Sequence, residues 1–198
     1  MSQRASAVRG AMPDRHVERL VSALCAHQRT FGACADPPDV SATGSALRLS
    51  LSNAAALDLP IAEMVGDFLA GRLFLPSGPR ASLVCAMQEA VLNAVLHGNL
   101  AITDKGRHAS AGAEELGREI EARLADPAVA ARRCDIRVRW TAAAILARVS
   151  DAGAGFVPAA PPADPARPHG RGIAIIIALT TGARWTRGGR SLLMRFAR

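Results

Sequence analysis

The sequence predicts an α/β (α+β) two-layer sandwich, with helices gathered on one face of a mixed, mostly antiparallel sheet. Three observations carry this. Leu47, Leu49 and Leu51 alternate with polar residues, as do Ile136, Val138 and Trp140 and then Ile145, Ala147 and Val149, which is the period of half-buried strands. Helical spacing governs Val17 to Leu24, Ile61 to Leu69 and Leu83 to Val95. The summed order is strand, helix, helix, insertion, strand, strand, glycine loop, helix, strand, strand, and helices grouped this way pack against one face of a sheet.

Along the chain, Pro13 and Asp14 open an amphipathic helix over residues 13–30, closed by Asp36-Pro37-Pro38. Ala42 to Ser45 reads as a small-residue linker. Residues 1–44 are therefore an N-terminal extension with one helix, and 45–198 the main domain. After the strand at 47–51, Asp58 and Pro60 introduce a helix that closes around Gly71, and Pro76 to Pro79 form a turn. A nearly all-apolar helix follows from Arg80 to Leu96, with Gly98 placed as its C-terminal cap. Residues 101–131 are polar and glycine-containing, carry a short charged helix at 113–125, and read as a surface insertion. The strands at 136–140 and 145–149 can form a hairpin. Residues 152–172 read as a loop, a helix runs from Ile173 to Thr181, and two last strands meet across a Gly188-Gly189 two-residue turn.

Composition narrows the function. The chain has 198 residues, 49% of them hydrophobic, which suits one domain. No apolar stretch approaches the roughly 18 to 20 residues of a membrane span. Arg4 and Arg9 precede no apolar run, so no secretory signal is read and a cytoplasmic location is expected. Cys25, Cys34, Cys85 and Cys134 form no CxxC pair and are expected as buried small hydrophobes. Lys105 is the one lysine, and Gly106 follows it, so a phosphate-loop NTPase and an ordinary protein kinase are excluded. The net charge of +7 suits an acidic partner, but the arginines are spread along the chain without interleaved aromatics, so no direct nucleic-acid contact is expected.

Three polar groups interrupt the apolar frame. Glu89 and Asn93 lie four apart on one face of the apolar helix, where an unpaired carboxylate costs several kcal/mol to bury. They suit an opening in which Asn ligates Mg2+ and Glu orients or deprotonates a nucleophile, or else they are a polar pair at a helix edge. Asp151, Gly153 and Gly155 follow a strand: an acceptor for an exocyclic amine beside space for a flat ring, or a plain glycine turn. Gly170, Arg171 and Gly172 open the last helix, where exposed N–H groups favour phosphate. Arg171 either adds a charged contact or faces water.

In this order the three groups resemble those of the GHKL, or histidine-kinase-like, ATPases (the Bergerat fold). Within that superfamily the likeness is closest to stand-alone anti-sigma-factor serine-protein kinases. Glu89, Asn93 and His97-Gly98 stand as the N-box, Asp151, Gly153 and Gly155 as the G1 box, and Gly170 and Gly172 as the G2 box. The resemblance implies ATP with Mg2+ on Asn93, the adenine amino group on Asp151, an ATP lid at 156–169, and Ser191 where the family often has a water-mediated adenine contact. It implies Glu89 as the base that takes a proton from a serine hydroxyl. Its implied partners are a sigma factor, a STAS-type antagonist protein and a second copy of the chain. Two other readings stay open: a non-catalytic nucleotide-binding module, and the catalytic domain of a histidine-kinase-like signalling protein.

Overall fold

The structure, a computed structural model, describes residues 14–31, 38–102, 113–155 and 171–198. Among the described residues six strands form one sheet in the order β1-β2-β3-β4-β6-β5, antiparallel at every junction. They are β1 (Asp39–Ala42), β2 (Ala46–Ser52), β3 (Arg133–Trp140), β4 (Ala144–Ser150), β5 (Gly182–Thr186) and β6 (Ser191–Ala197). Alternation along each strand turns Leu47, Leu49, Leu51, Ile136, Val138, Ala147, Val149, Leu192 and Met194 toward the helices, all of them buried. The other side of the sheet carries the polar residues.

The helical layer comprises α1 (Arg15–Phe31), α2 (Asn53–Asp58), α3 (Ile61–Leu73), α4 (Ser77–Leu92), α5 (Ala113–Leu124), α6 (Pro127–Ala130) and α7 (Arg171–Leu179). α4 continues without a break into a π-helical segment, Asn93–Asn99. Leu83, Ala86, Met87, Val91 and Val95 fix this long rod in the core, and α3 and α7 flank it. No helix among the described residues is long and apolar enough to cross a membrane.

Several local expectations change. The sheet begins at Asp39, because β1 pairs with β2 through Asp39↔Ser50 and Ala42↔Leu47, and residues 43–45 are the turn between them. Gly71 lies inside α3, which runs on until Phe74 turns left-handed at φ 53. Gly98 is no cap: it lies within the π segment, and the chain turns away at Ala101, φ 53. The last hairpin closes on Thr186↔Ser191, so its turn has residues 187–190 rather than two, with positive φ at Arg187, Gly188 and Gly189. Cys134 is buried as expected, whereas Cys85 is exposed; the side chain of Cys25 and all of Cys34 lie outside the described residues. Within the insertion, Leu116, Ile120, Leu124 and Val129 pack against the core.

Arg72 joins the N-terminal segment to the sandwich. Its guanidinium pairs with Asp14 before α1 and donates to the Thr43 carbonyl in the β1–β2 turn. It also lies over Trp140, 5.7 Å from the ring centroid, and over Phe68 at 6.0 Å. Trp140 in turn donates from Nε1 to the Gly44 carbonyl at 3.1 Å. α1 buries Val17, Leu20 and Leu24 against α3, so its apolar stripe is part of the one core.

The α3–α4 crossing supplies a test of packing. A Cβ on Gly66 would fall 2.5 Å from Val84 Cγ2, and a β-branched side chain has little rotamer freedom to retreat. Gly66→Ala, which helix propensity alone would favour by about 1 kcal/mol, is expected instead to destabilise by about 1–3 kcal/mol through overpacking. Urea unfolding measures this, and Val84→Ala on the same chain restores part of the loss.

Candidate functional site

The site is built along one rod and the loops that touch it. In α4 a residue four along returns to the same face, which stacks Asn93 above Glu89. Beyond it the π segment is wound more widely, and at its end Gly98 comes against the loop after β4. Glu89 and Asn93 therefore share one face of the rod, and Gly98 lies further along it, roughly 13 Å from Glu89 at helical rise. His97 is turned outward, its Nδ1 2.6 Å from the Ile102 carbonyl.

Two other segments close on this rod. A Cβ on Gly172 would fall 2.6 Å from Glu89 Oε2 and 3.3 Å from Asn93 Nδ2, so the first turn of α7 rests directly on the pair. Its positive dipole end faces a carboxylate there. At the other end, a Cβ on Gly98 would fall 2.5 Å from Asp151 Cγ, and a Cβ on Gly153 would strike the Gly98 carbonyl. Only glycine lets these two backbones meet. Gly155, at φ 83, packs its backbone on the Gly188 carbonyl of the last hairpin.

Asp151 leaves β4 with its N–H bonded to the Arg190 carbonyl at 3.1 Å. Its Oδ1 accepts from Gly153 N–H at 2.8 Å, and among the described residues no donor meets the other oxygen. Burial pushes its pKa up, while the Gly153 N–H and the charges of Arg190 and Arg187 pull the other way. The neighbouring Cys134 thiol is pushed up to about 12 by burial and by the charges of Asp151 and Asp135. Asp151 is thus a half-buried acceptor whose second oxygen meets no donor among the described residues.

A buried amide pair, absent from the sequence reading, holds this loop. Asn99 Oδ1 accepts from Ala152 N–H at 2.8 Å, and Asn99 Nδ2 donates to Asn53 Oδ1 at 2.7 Å and to the Arg133 carbonyl at 3.1 Å. Asn53 Nδ2 donates to the Val129 carbonyl at 2.8 Å, and Arg132 donates to the Asn99 carbonyl at 2.6 Å. Both asparagine side chains are fully enclosed. The signal available in the sequence was a lone asparagine after His97-Gly98, which nothing but its place beside the N-box set apart.

The remaining expected residues are dispersed differently. Ser191 alternates away from the inward Leu192 and meets Ser150, Oγ to Oγ 2.9 Å, on the opposite side of β6. Arg171 is exposed. Gly170 and the 156–169 segment lie outside the described residues. No group of three or more His, Cys, Asp or Glu side chains among the described residues could hold a metal. A hard cation would rest on the Asn93 amide oxygen and on oxygens of its ligand, a donor set that suits Mg2+.

Helices on one face of an antiparallel sheet, with a glycine-lined contact between a Glu/Asn helix, an Asp-bearing loop and a helix N-terminus, define a nucleotide-binding α+β domain. Residues 52–196 match the family model of the histidine kinase-like ATPase domain. The chain belongs to that family and carries its kinase-like ATP-binding domain. No curated protein matches the chain.

Two outcomes follow from this geometry. Because the folded state holds the Asp151 proton more tightly than the unfolded chain does, the contribution of Asp151 to stability falls as pH rises through its titration. Asp151→Asn, which keeps the acceptor for Gly153 N–H, is expected to raise Tm of the ligand-free protein at pH 7. That gain fades as pH falls toward the ordinary carboxyl value of 3.8; thermal scans across pH read it directly. Asn99→Ala strips partners from Asn53 and from Ala152 N–H, and at roughly 1–3 kcal/mol per orphaned group it is expected to lower the urea midpoint strongly.

Proposed function

We propose that the protein is an ATP/Mg2+-dependent serine-protein kinase acting as an anti-sigma factor or a similar partner-switching regulator. One observation carries the reading: Glu89 and Asn93 lie together under the N-terminus of α7, on the same rod that meets Asp151 at Gly98. A carboxylate, a cation-binding amide, a phosphate-type N-terminus and an amine acceptor are the parts that phosphoryl transfer from a nucleotide needs.

In this reading Asp151 accepts from the adenine amino group, and the close backbone contacts at Gly98, Gly153 and Gly155 hold its carboxylate in place. The first N–H groups of α7 meet the phosphates. Asn93 would hold Mg2+, which supplies charge neutralisation across the phosphate oxygens when bound. Glu89 takes the proton from a serine hydroxyl as that oxygen bonds to the γ-phosphorus. The bond from phosphorus to the bridging oxygen breaks, and ADP leaves with the electron pair. The serine belongs to a STAS-type antagonist protein, the second partner is a sigma factor, and the active unit is a homodimer.

One observation favours a second reading, that of a non-catalytic nucleotide-binding module. Glu89 already has a structural task, because its carboxylate meets the positive end of α7.

Titration with a fluorescent ATP analogue, with and without Mg2+, separates the steps. Asp151→Asn is expected to weaken binding roughly tenfold or more, the value of a charged hydrogen bond. Asn93→Ala is expected to abolish the Mg2+ dependence. With STAS-type candidates as acceptors, Glu89→Ala is expected to cut phosphate transfer on the order of a hundredfold while nucleotide binding persists. Binding with no transfer in the wild type establishes the second reading.

A further inference from the structure

The side of the sheet away from the helices has a charge pattern that the nucleotide site does not use. Strand register sets its residues in rows that cross the sheet. One row reads Ser41, Arg48, Arg137, Arg148, Leu193, Arg184. The next holds Arg139, Leu146 and Arg195 on adjacent strands. Arg48, Arg137, Arg139, Arg148, Arg184 and Arg195 are all exposed, and none has an ion pair with any described residue. The acids of this face, Asp39 and Asp135, stand together in a third row, level with Ser50 and Ser150. At about 4.8 Å between strands, the arginine row spans roughly 19 Å from Arg48 to Arg184.

Like charges directly opposite each other across strands oppose sheet formation. Arg48, Arg137 and Arg148 stand three abreast in this way, so an anionic ligand relieves a repulsion already built into the fold. The apolar positions define the ligand further. Leu146 is 37% exposed and lies between Arg139 and Arg195; Leu193 lies between Arg148 and Arg184. An apolar centre framed on both sides by guanidinium forks matches a segment with an apolar ridge flanked by carboxylates. The same face of a second copy would set arginine against arginine. Nucleic acid fits less well, since no outward position in the three rows is aromatic and base stacking has no platform.

We propose that the outer sheet face docks an acidic amphipathic helix of a protein partner, with Leu146 and Leu193 taking its apolar ridge and the arginine rows its carboxylates. This surface is independent of the nucleotide site, and its test needs no nucleotide.

The probe is a fluorescein-labelled designed helix with Leu at a and d positions and Glu and Gln elsewhere, read by anisotropy; duplex DNA and polyglutamate are the comparison ligands. Arg137→Glu/Arg148→Glu is expected to weaken peptide binding about tenfold or more, as losing buried charge contacts does. Arg15→Glu/Arg19→Glu on α1, with the same change of net charge, is expected to stay within about twofold of wild type if location rather than total charge governs binding. Leu146→Gln is expected to weaken the peptide but not polyglutamate. Arg137→Gln/Arg148→Gln covers the case in which charge reversal disturbs folding, and is expected to give the same ordering with a smaller loss. Equal losses in the two charge-matched variants, tighter binding to duplex DNA than to the peptide, or no peptide binding at low salt would each overturn the proposal.

Discussion

The candidate site depends on a steric constraint at one point, where the end of the α4 rod meets the loop after β4. Gly98 has no space for a side chain because Asp151 fills it, and Gly153 has none because the Gly98 carbonyl fills it. This reciprocal contact sets the distance of Asp151 from the helix that carries Glu89 and Asn93. It also depends on the switch from α to π winding at Asn93. Gly98, within that wider turn, is the residue that meets the carboxylate of Asp151.

The contact is held by polar groups deep in the protein. Asn99 ends the π segment, grips the Asp151 loop through Ala152, and passes the constraint to Asn53 and Val129. Buried amides of this kind cost stability unless every group is paired, and here both amide side chains are paired on their nitrogens and oxygens. Val129 and Arg132, just before β3, are thereby tied to the site from behind. Arg72 does the equivalent work at the far end, where charge, ring stacking and a backbone carbonyl fasten α1 to the sheet.

Much of this was legible in the sequence, for definable reasons. Long periodic segments declare themselves, so α1, α3, α4, β2, β3 and β4 follow from spacing of apolar residues alone, and β6 from the glycine turn before it. Glu89, Asn93, Asp151 and Gly172 could be singled out because polar residues and glycines stand out against so apolar a frame, and the fold brings them to one rod. β1 was hidden because Asp39–Ala42 has one buried apolar residue, Val40, and exists by pairing with β2. α2 is six residues long, too short to show a period. The π winding has no compositional mark, and Asn53 and Asn99 become meaningful only once tertiary contact encloses them. The arginine rows show the same limit: alternation put Arg137 and Arg139 on one face, but only register aligned them with Arg48, Arg148 and Arg195.

The strand order has a consequence for how the chain is made. β6 lies between β4 and β5, although it follows both in sequence. During synthesis β4 has a bare edge from the moment it pairs with β3 until residues 191–197 emerge, and a long stretch of chain passes in between. β5 can find no sheet to join in that interval, since its one neighbour is β6. Completion of the sheet therefore waits on β6, and the nascent chain carries an open strand edge that invites foreign pairing until then.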